Sequence, residues 1–296
     1  MHLIRAATLT VRSLDASKNY CEWLDYEIVE TGKISEGLAK SWGAPKTAES
    51  NYCVLRPASE APVYIRLIEQ PTHSAYKPLR SYGWTAIEIC TQDTEKVNHR
   101  MIKSPFEIVG PPKVLDGMPA IYPMQIKGDN QEVIYLTHIR DDMPEYDLPR
   151  AESLIDKLFI LVLACPDLDT EGEWLERHLK ISKGRTLSIN YTMINKTFNL
   201  ADGTQHKLTT LKHDRDVFLE IDEYPKETIH RPTQEGCLPP CVAIGSFIHP
   251  NFSEVEHINQ HDWVFPPTQR KGVIYNGKKA GVLRAPSGTL FEMIEA

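Results

Sequence analysis

The sequence predicts an α+β protein of four β-α-β-β-β units in two tandem domains, each a curved sheet with helices outside. Three observations carry that expectation. Strand-length apolar segments outnumber helical ones and keep one order, the order restarts at Gly83, and matching residues recur about 151 to 157 positions apart. Leu14 and Leu168 are 154 apart, as are Arg66 and Glu220; Trp23-Leu24 and Trp174-Leu175 are 151 apart. Pro111-Pro112 and Pro266-Pro267 are separated by 155, Tyr135 and Glu292 by 157. Units one and three therefore match each other, as do two and four. With 296 residues, about twice a typical domain, a duplicated two-unit domain is the natural reading.

In the first unit (1–70) a strand is expected over 3–11, and Ser13-Leu14-Asp15 offers an N-cap for a helix carrying Tyr20, Trp23 and Leu24. A strand over 26–31 follows, then a helical turn ending at Gly43 and strands over 52–55 and 63–68. The second unit (80–139) places strands at 84–90, 106–109, 121–126 and 132–137 around a helix over 93–101. Residues 140–154, charged and carrying Pro144 and Pro149, read as an unpacked linker between a domain of 1–139 and one of 155–296. The third unit (155–225) has strands at 158–164, 187–191, 206–211 and 217–221, with a helix led by Pro166-Asp167-Leu168-Asp169. The fourth (238–296) has a first strand at 241–248, a helix over 253–260, and strands at 272–275, 281–283 and 290–294. Whether units pair one with two and three with four, or one with four, stays open.

Hydrophobic residues make up 41% and charged ones 25%, enough for real cores. A net charge of −7 argues against nucleic acid or an anionic membrane as partner, and a cytoplasmic protein is expected, since no secretory signal and no apolar run of about 18 residues is present. Six scattered cysteines suit reduced thiols. The C-x3-C pair Cys237 and Cys241 lacks a second pair at zinc spacing. His257 and His261 have helical spacing but no third ligand.

The final strand raises the functional question. Pro286-Ser287-Gly288 sets a turn, and alternation then puts Leu290, Glu292 and Ile294 on one face, a carboxylate in an apolar row. Such a group is costly unless exposed, paired, metal-bound or protonated.

With Leu9-Thr10-Val11-Arg12-Ser13-Leu14-Asp15, Ala164-Cys165-Pro166-Asp167-Leu168-Asp169 and Pro286-Ser287-Gly288-Thr289-Leu290-Phe291-Glu292 in register, nearly the whole chain resembles the vicinal oxygen chelate superfamily of glyoxalase I, bleomycin-resistance proteins and extradiol dioxygenases. The resemblance implies two cup-shaped domains, each around a divalent metal held by a His from first strands and a Glu from a last strand. Carried over, the first-strand positions fall at Ala6, Trp84 and Ile160, with Val242, Ala243 and Ile244 as fourth-unit candidates; the last-strand positions are Arg66, Tyr135, Glu220 and Glu292. The imidazoles are missing. No cofactor is therefore expected, the alternative being a divalent metal on Glu292 in the carboxy-terminal cup, with Glu220 nearby.

Two carboxylates in one cup would push a pKa upward and supply an acid and a base. Glu292 and Glu220 are thus the candidate catalytic residues, and Arg66, Trp84 and Tyr135 the candidate ligand site for an aromatic or carboxylate-bearing metabolite. If the chain is an enzyme, isomerase or lyase chemistry suits it better than dioxygenase chemistry. The alternatives are a divalent-metal lyase, isomerase or extradiol dioxygenase using Glu292, and a non-catalytic sequestering protein of the bleomycin-resistance kind. The expected partner is a small molecule, with room for a homodimer.

Overall fold

The computed structural model describes residues 2–296. Unit one holds β1 (Ile4–Val11), α1 (Ala16–Trp23), β2 (Tyr26–Lys33), α2 (Glu36–Ser41), β3 (Asn51–Pro57) and β4 (Tyr64–Glu69). Unit two holds β5 (Gly83–Thr91), α3 (Thr94–Met101), β6 (Glu107–Gly110), β7 (Ile121–Lys127) and β8 (Val133–Ile139). Unit three comprises β9 (Ile155–Cys165), α4 (Leu168–Leu179), β10 (Ser182–Asn190), α5 (Thr192–Phe198), β11 (Gln205–His213) and β12 (Asp216–Glu223). Unit four comprises β13 (Cys241–His249), α6 (Phe252–Ile258), β14 (Trp263–Gln269), β15 (Lys279–Arg284) and β16 (Leu290–Glu295). Asp93 and Asp167 cap α3 and α4 by accepting from the Lys96 and Thr170 amides. Asp15 makes no side-chain cap and pairs with Lys18 instead.

Strand order answers the pairing question. One eight-stranded sheet runs β14-β15-β16-β13-β1-β4-β3-β2 and the other β10-β11-β12-β9-β5-β8-β7-β6. The first sheet joins units one and four; the second joins two and three. Each joint is an antiparallel pair of first strands, β1 with β13 and β5 with β9. The halves 1–139 and 155–296 are thus a repeat in sequence, but each sheet draws on both.

Alternation gives every central strand an apolar face toward the other sheet. Leu9, Leu67, Phe247 and Phe291 of the first sheet join Ile87, Leu161, Leu163 and Leu219 of the second in one core, into which the helices add Tyr20, Val97 and Leu175. At Gly245 the sheets approach closely: a Cβ there would stand 2.7 Å from Leu161 and 2.8 Å from Trp84. The opposite faces form the first cup (units one and four) and the second cup (units two and three).

Three expectations fail locally. Residues 272–275 form a turn, and the edge strand β14 lies earlier, through Pro266 and Pro267, because an edge position has no ladder partner on one side for the missing N–H groups. The helix α5 is an addition that the apolar pattern did not reveal. Residues 140–154 are packed: Tyr146 is buried, and Met143 and Leu148 pack against the core of the second cup. Among the described residues no helix is long and apolar enough to cross a membrane.

Candidate functional site

In the first cup Glu292 is wholly buried. Its Oε1 accepts from Trp42 Nε1 at 2.8 Å and Tyr275 hydroxyl at 3.0 Å, while Oε2 accepts from Ser246 Oγ at 2.6 Å. Arg270 Nη1 pairs with Oε1, and Arg66 Nη2 stands 3.8 Å from Oε2. Burial alone would raise this carboxyl's pKa. Arg270 and Arg66, with the Ser246 and Trp42 hydrogen bonds, outweigh burial and hold it below its ordinary value.

Arg66 is equally occupied. It donates to Thr8 Oγ1 at 2.8 and 3.0 Å and to the Tyr275 hydroxyl at 2.9 Å, and its guanidinium lies 4.6 Å from the Trp42 ring. Arg270 and Tyr275 reach the cup on the turn after β14. That turn is tied to unit one, since Arg5 donates to the Val273 and Ile274 carbonyls and the Val273 amide donates to Glu30, each at 2.8 Å. The first cup therefore holds a buried cluster of two guanidiniums on one carboxylate, in which Arg270 Nε and Nη2 have no partner among the described residues and the carboxylate has no lone pair left for a substrate.

The second cup is acidic. Glu88 of β5 and Glu220 of β12 line a cavity of about 60 Å³ whose remaining wall is mostly apolar, including Phe159, Ile160, Leu115 and Met143. Burial first, and then the neighbouring Glu220 charge, push the Glu88 carboxyl up to about 8, although a hydrogen bond from Thr137 opposes the rise. Burial likewise raises Glu220, partly offset by the Tyr191 hydroxyl, which donates to it at 2.9 Å. Asp222, also on the cup face, is raised well above its ordinary value by burial, then by Glu220 and Glu88. Neither Asp222 oxygen nor the Tyr224 hydroxyl has a hydrogen-bond partner among the described residues. The carboxyls are thus coupled, each raised by burial, the arrangement that lets one group give a proton while another takes one. Tyr135 donates to the Tyr191 hydroxyl at 3.3 Å, and Tyr191 also lines a neighbouring cavity of about 190 Å³.

The predicted residues are therefore split. Arg66 and Glu292 meet in the first cup, Tyr135 and Glu220 in the second, so Glu220 and Glu292 do not share a carboxy-terminal cup. Trp84 enters neither cup. It is buried between the sheets, 4.7 Å from the Phe291 ring, and donates through Nε1 to the Leu290 carbonyl at 2.9 Å. The first-strand positions also shift. The residues beside Arg66, Tyr135, Glu220 and Glu292 are Thr8, Glu88, Val162 and Ser246, rather than Ala6, Trp84, Ile160 and the Val242 to Ile244 set. Glu88, missed from sequence, was detectable: Ile87-Glu88-Ile89 is a carboxylate in an apolar strand, the same anomaly that singled out Glu292.

No family model and no curated protein matches this sequence. Solved structures do match. Glyoxalase I from Zea mays is similar over 100% of this chain and 92% of its own, at 14% identity and a TM-score of 0.64. A putative dioxygenase from Bacillus subtilis matches over 99% and 85%, at 11% identity and 0.62. The cppA protein from Streptococcus pneumoniae matches over 100% and 99%, at 12% identity and 0.51. The chain carries the vicinal oxygen chelate fold.

That fold implies a metal, and neither cup's residues fit the imidazole and carboxylate centre. In the first cup an ion would face Arg66 and Arg270 and compete for a carboxylate already saturated. In the second, Glu88 keeps its proton at neutral pH and is a poor ligand, and no imidazole lines the cavity. Among the described residues no three His, Cys, Asp or Glu side chains are grouped to hold an ion, which includes Cys237 and Cys241 and the histidines at 257 and 261.

Proposed function

We propose that the second cup is the working site and that the chain binds there a small, largely apolar molecule, neutral or cationic, on which Glu88 and Glu220 move a proton. The observation that carries this reading is that both carboxyls open onto one apolar cavity. A carboxylate-bearing ligand suits the cup poorly, because ionised Glu220 would repel it and Arg66 is committed to Glu292 in the other cup. Glu88, with its value near 8, keeps a proton at neutral pH and is the donor. Glu220, positioned by Tyr191, is the acceptor. The reaction class is an isomerisation or elimination, with one proton removed from the substrate by Glu220 and one returned by Glu88.

The test begins with a thermal-shift screen of small amines, alcohols and carboxylates against the full chain, repeated on Glu88→Gln and Glu220→Gln. Neutral and cationic compounds should raise the melting temperature of the parent, and Glu220→Gln should abolish the shift for amines. Shifts that survive unchanged in both variants would overturn the assignment. Deuterium incorporated from solvent into a bound compound, read by mass spectrometry and lost in Glu220→Gln, would separate an enzyme from a sequestering protein.

A further inference from the structure

A third cavity, of about 200 Å³, lies outside the acidic cup and borders the first cup at Trp42. Its lining includes Tyr82, Pro239 and Val242, and its charged groups are Arg231, Arg284 and His230, with no Asp or Glu among them. No ion pair within 4.0 Å joins either guanidinium to a carboxylate among the described residues. Arg231 is fixed in place by donating to the Trp84 carbonyl at 2.6 Å, the Val242 carbonyl at 2.9 Å and Ser81 Oγ at 3.3 Å, which leaves two of its five N–H groups unused. Arg284 donates to the Gly288 carbonyl at 3.1 Å and is otherwise free. Glu171, behind Ser287, accepts from that residue's hydroxyl and amide with its two oxygens and does not itself reach the lining.

Two guanidiniums without a carboxylate partner, at the edge of a cleft lined by Tyr82, His230 and Pro239, form a site of definite chemistry. A guanidinium fork matches the two oxygens of a carboxylate, and the ring and proline side chains match a compact apolar body. The geometry points to a second binding site here, for a small organic anion that carries its carboxylate on a compact apolar frame. Arg284 and Arg231 hold the anionic oxygens, and Tyr82, His230 and Pro239 flank the apolar part. The site is independent of the acidic cup, because a ligand of this charge is repelled there and attracted here.

Benzoate, with inorganic phosphate as the comparison anion, would be titrated into the full chain while indole fluorescence and melting temperature are followed. Benzoate should bind saturably and raise the melting temperature; phosphate should bind more weakly. Arg284→Gln, an exposed and structurally undemanding change, should weaken benzoate about tenfold or more, whereas Arg284→Lys should recover part of the loss and Glu88→Gln should leave binding unchanged. Arg231→Lys gives a second reading should Arg284 carry less than its share. Absence of saturable benzoate binding, phosphate binding as tight as benzoate, or benzoate affinity unchanged in both the Arg284→Gln and Arg231→Lys variants would each overturn the proposal.

Discussion

Glu292 and Glu220 stand on corresponding last strands of two sheets, yet one carboxylate meets two guanidiniums and the other meets two carboxyls. Around Glu292 every oxygen is engaged by Trp42, Ser246, Tyr275 and the arginines. Around Glu220 the single donor is Tyr191, and Asp222 beside it is unpartnered. One topology thus yields a cup whose carboxylate is fully paired and one whose carboxyls are not. The difference comes from what each sheet's loops deliver: the turn after β14 brings Arg270 and Tyr275 into the first cup, while the second is roofed by apolar Leu115, Met143 and Tyr146. Opposing guanidiniums occupy the carboxylate of one cup, whereas burial among apolar side chains raises the carboxyls of the other.

The largest expected effect is on stability in the first cup. Glu292→Leu leaves Arg66 and Arg270 buried without a counter-charge and should cost about 3–5 kcal/mol in urea unfolding. Glu220→Gln should leave stability unchanged or raise it, since a like charge beside Glu88 and Asp222 is removed. A triple change, Arg66→Met with Arg270→Met and Glu292→Leu, should restore most of the loss, because replacing a whole buried ion cluster by apolar groups is often neutral. A comparable loss from Glu220→Gln would mean that the two cups do not differ as described.

A pH series sharpens the same contrast. Glu88 titrates near 8 in the folded chain against an ordinary 4.5, so between those values the folded state keeps a proton that the unfolded state has released. The unfolded state then binds fewer protons, and stability contributed by the neutral carboxyl falls as pH rises through that window. Glu292 behaves oppositely: its depressed value gives stability that is present above 4.5 and lost as pH falls. Melting temperatures from about pH 5 to about pH 8.5 should decline in the parent and decline less in Glu88→Gln; equal slopes would refute the raised value.

Much of the fold was legible because strand alternation and the repeat spacing are local or additive signals, and Leu14 with Leu168 or Trp23 with Trp174 relate units one and three. The pairing of units was not, since the choice between neighbours one with two and one with four is made by long-range strand pairings such as β1 with β13 that have no spacing signature. For the same reason Arg66 and Glu292, 226 residues apart, could not be read as partners. Trp84 was misassigned through a shift of a few positions on β5, where the pairing with β9 carries a bulge between Trp84 and Ala86 that turns the indole toward the core. Glu88, in contrast, carried its own signal.

The smallest expected effect concerns Tyr191, whose hydroxyl does most to favour the ionised form of Glu220, ahead of Asp222. Removing it in Tyr191→Phe withdraws about 0.5–1.5 kcal/mol of stabilisation from the charged carboxylate and leaves the aromatic ring in place. Glu220 should therefore titrate higher, by up to about one pH unit, since each unit corresponds to about 1.4 kcal/mol. Carbon-detected NMR of labelled glutamate side chains would resolve the shift, and Glu88 should move down in response, because a Glu220 that stays neutral no longer repels its charge. Tyr275→Phe in the first cup provides the matched control: Glu292 keeps Arg66, Arg270, Trp42 and Ser246 and should remain ionised throughout. If Tyr191→Phe leaves both glutamates of the second cup where they were, that cup's carboxyls are not coupled through Glu220 and the acid and base assignments fall.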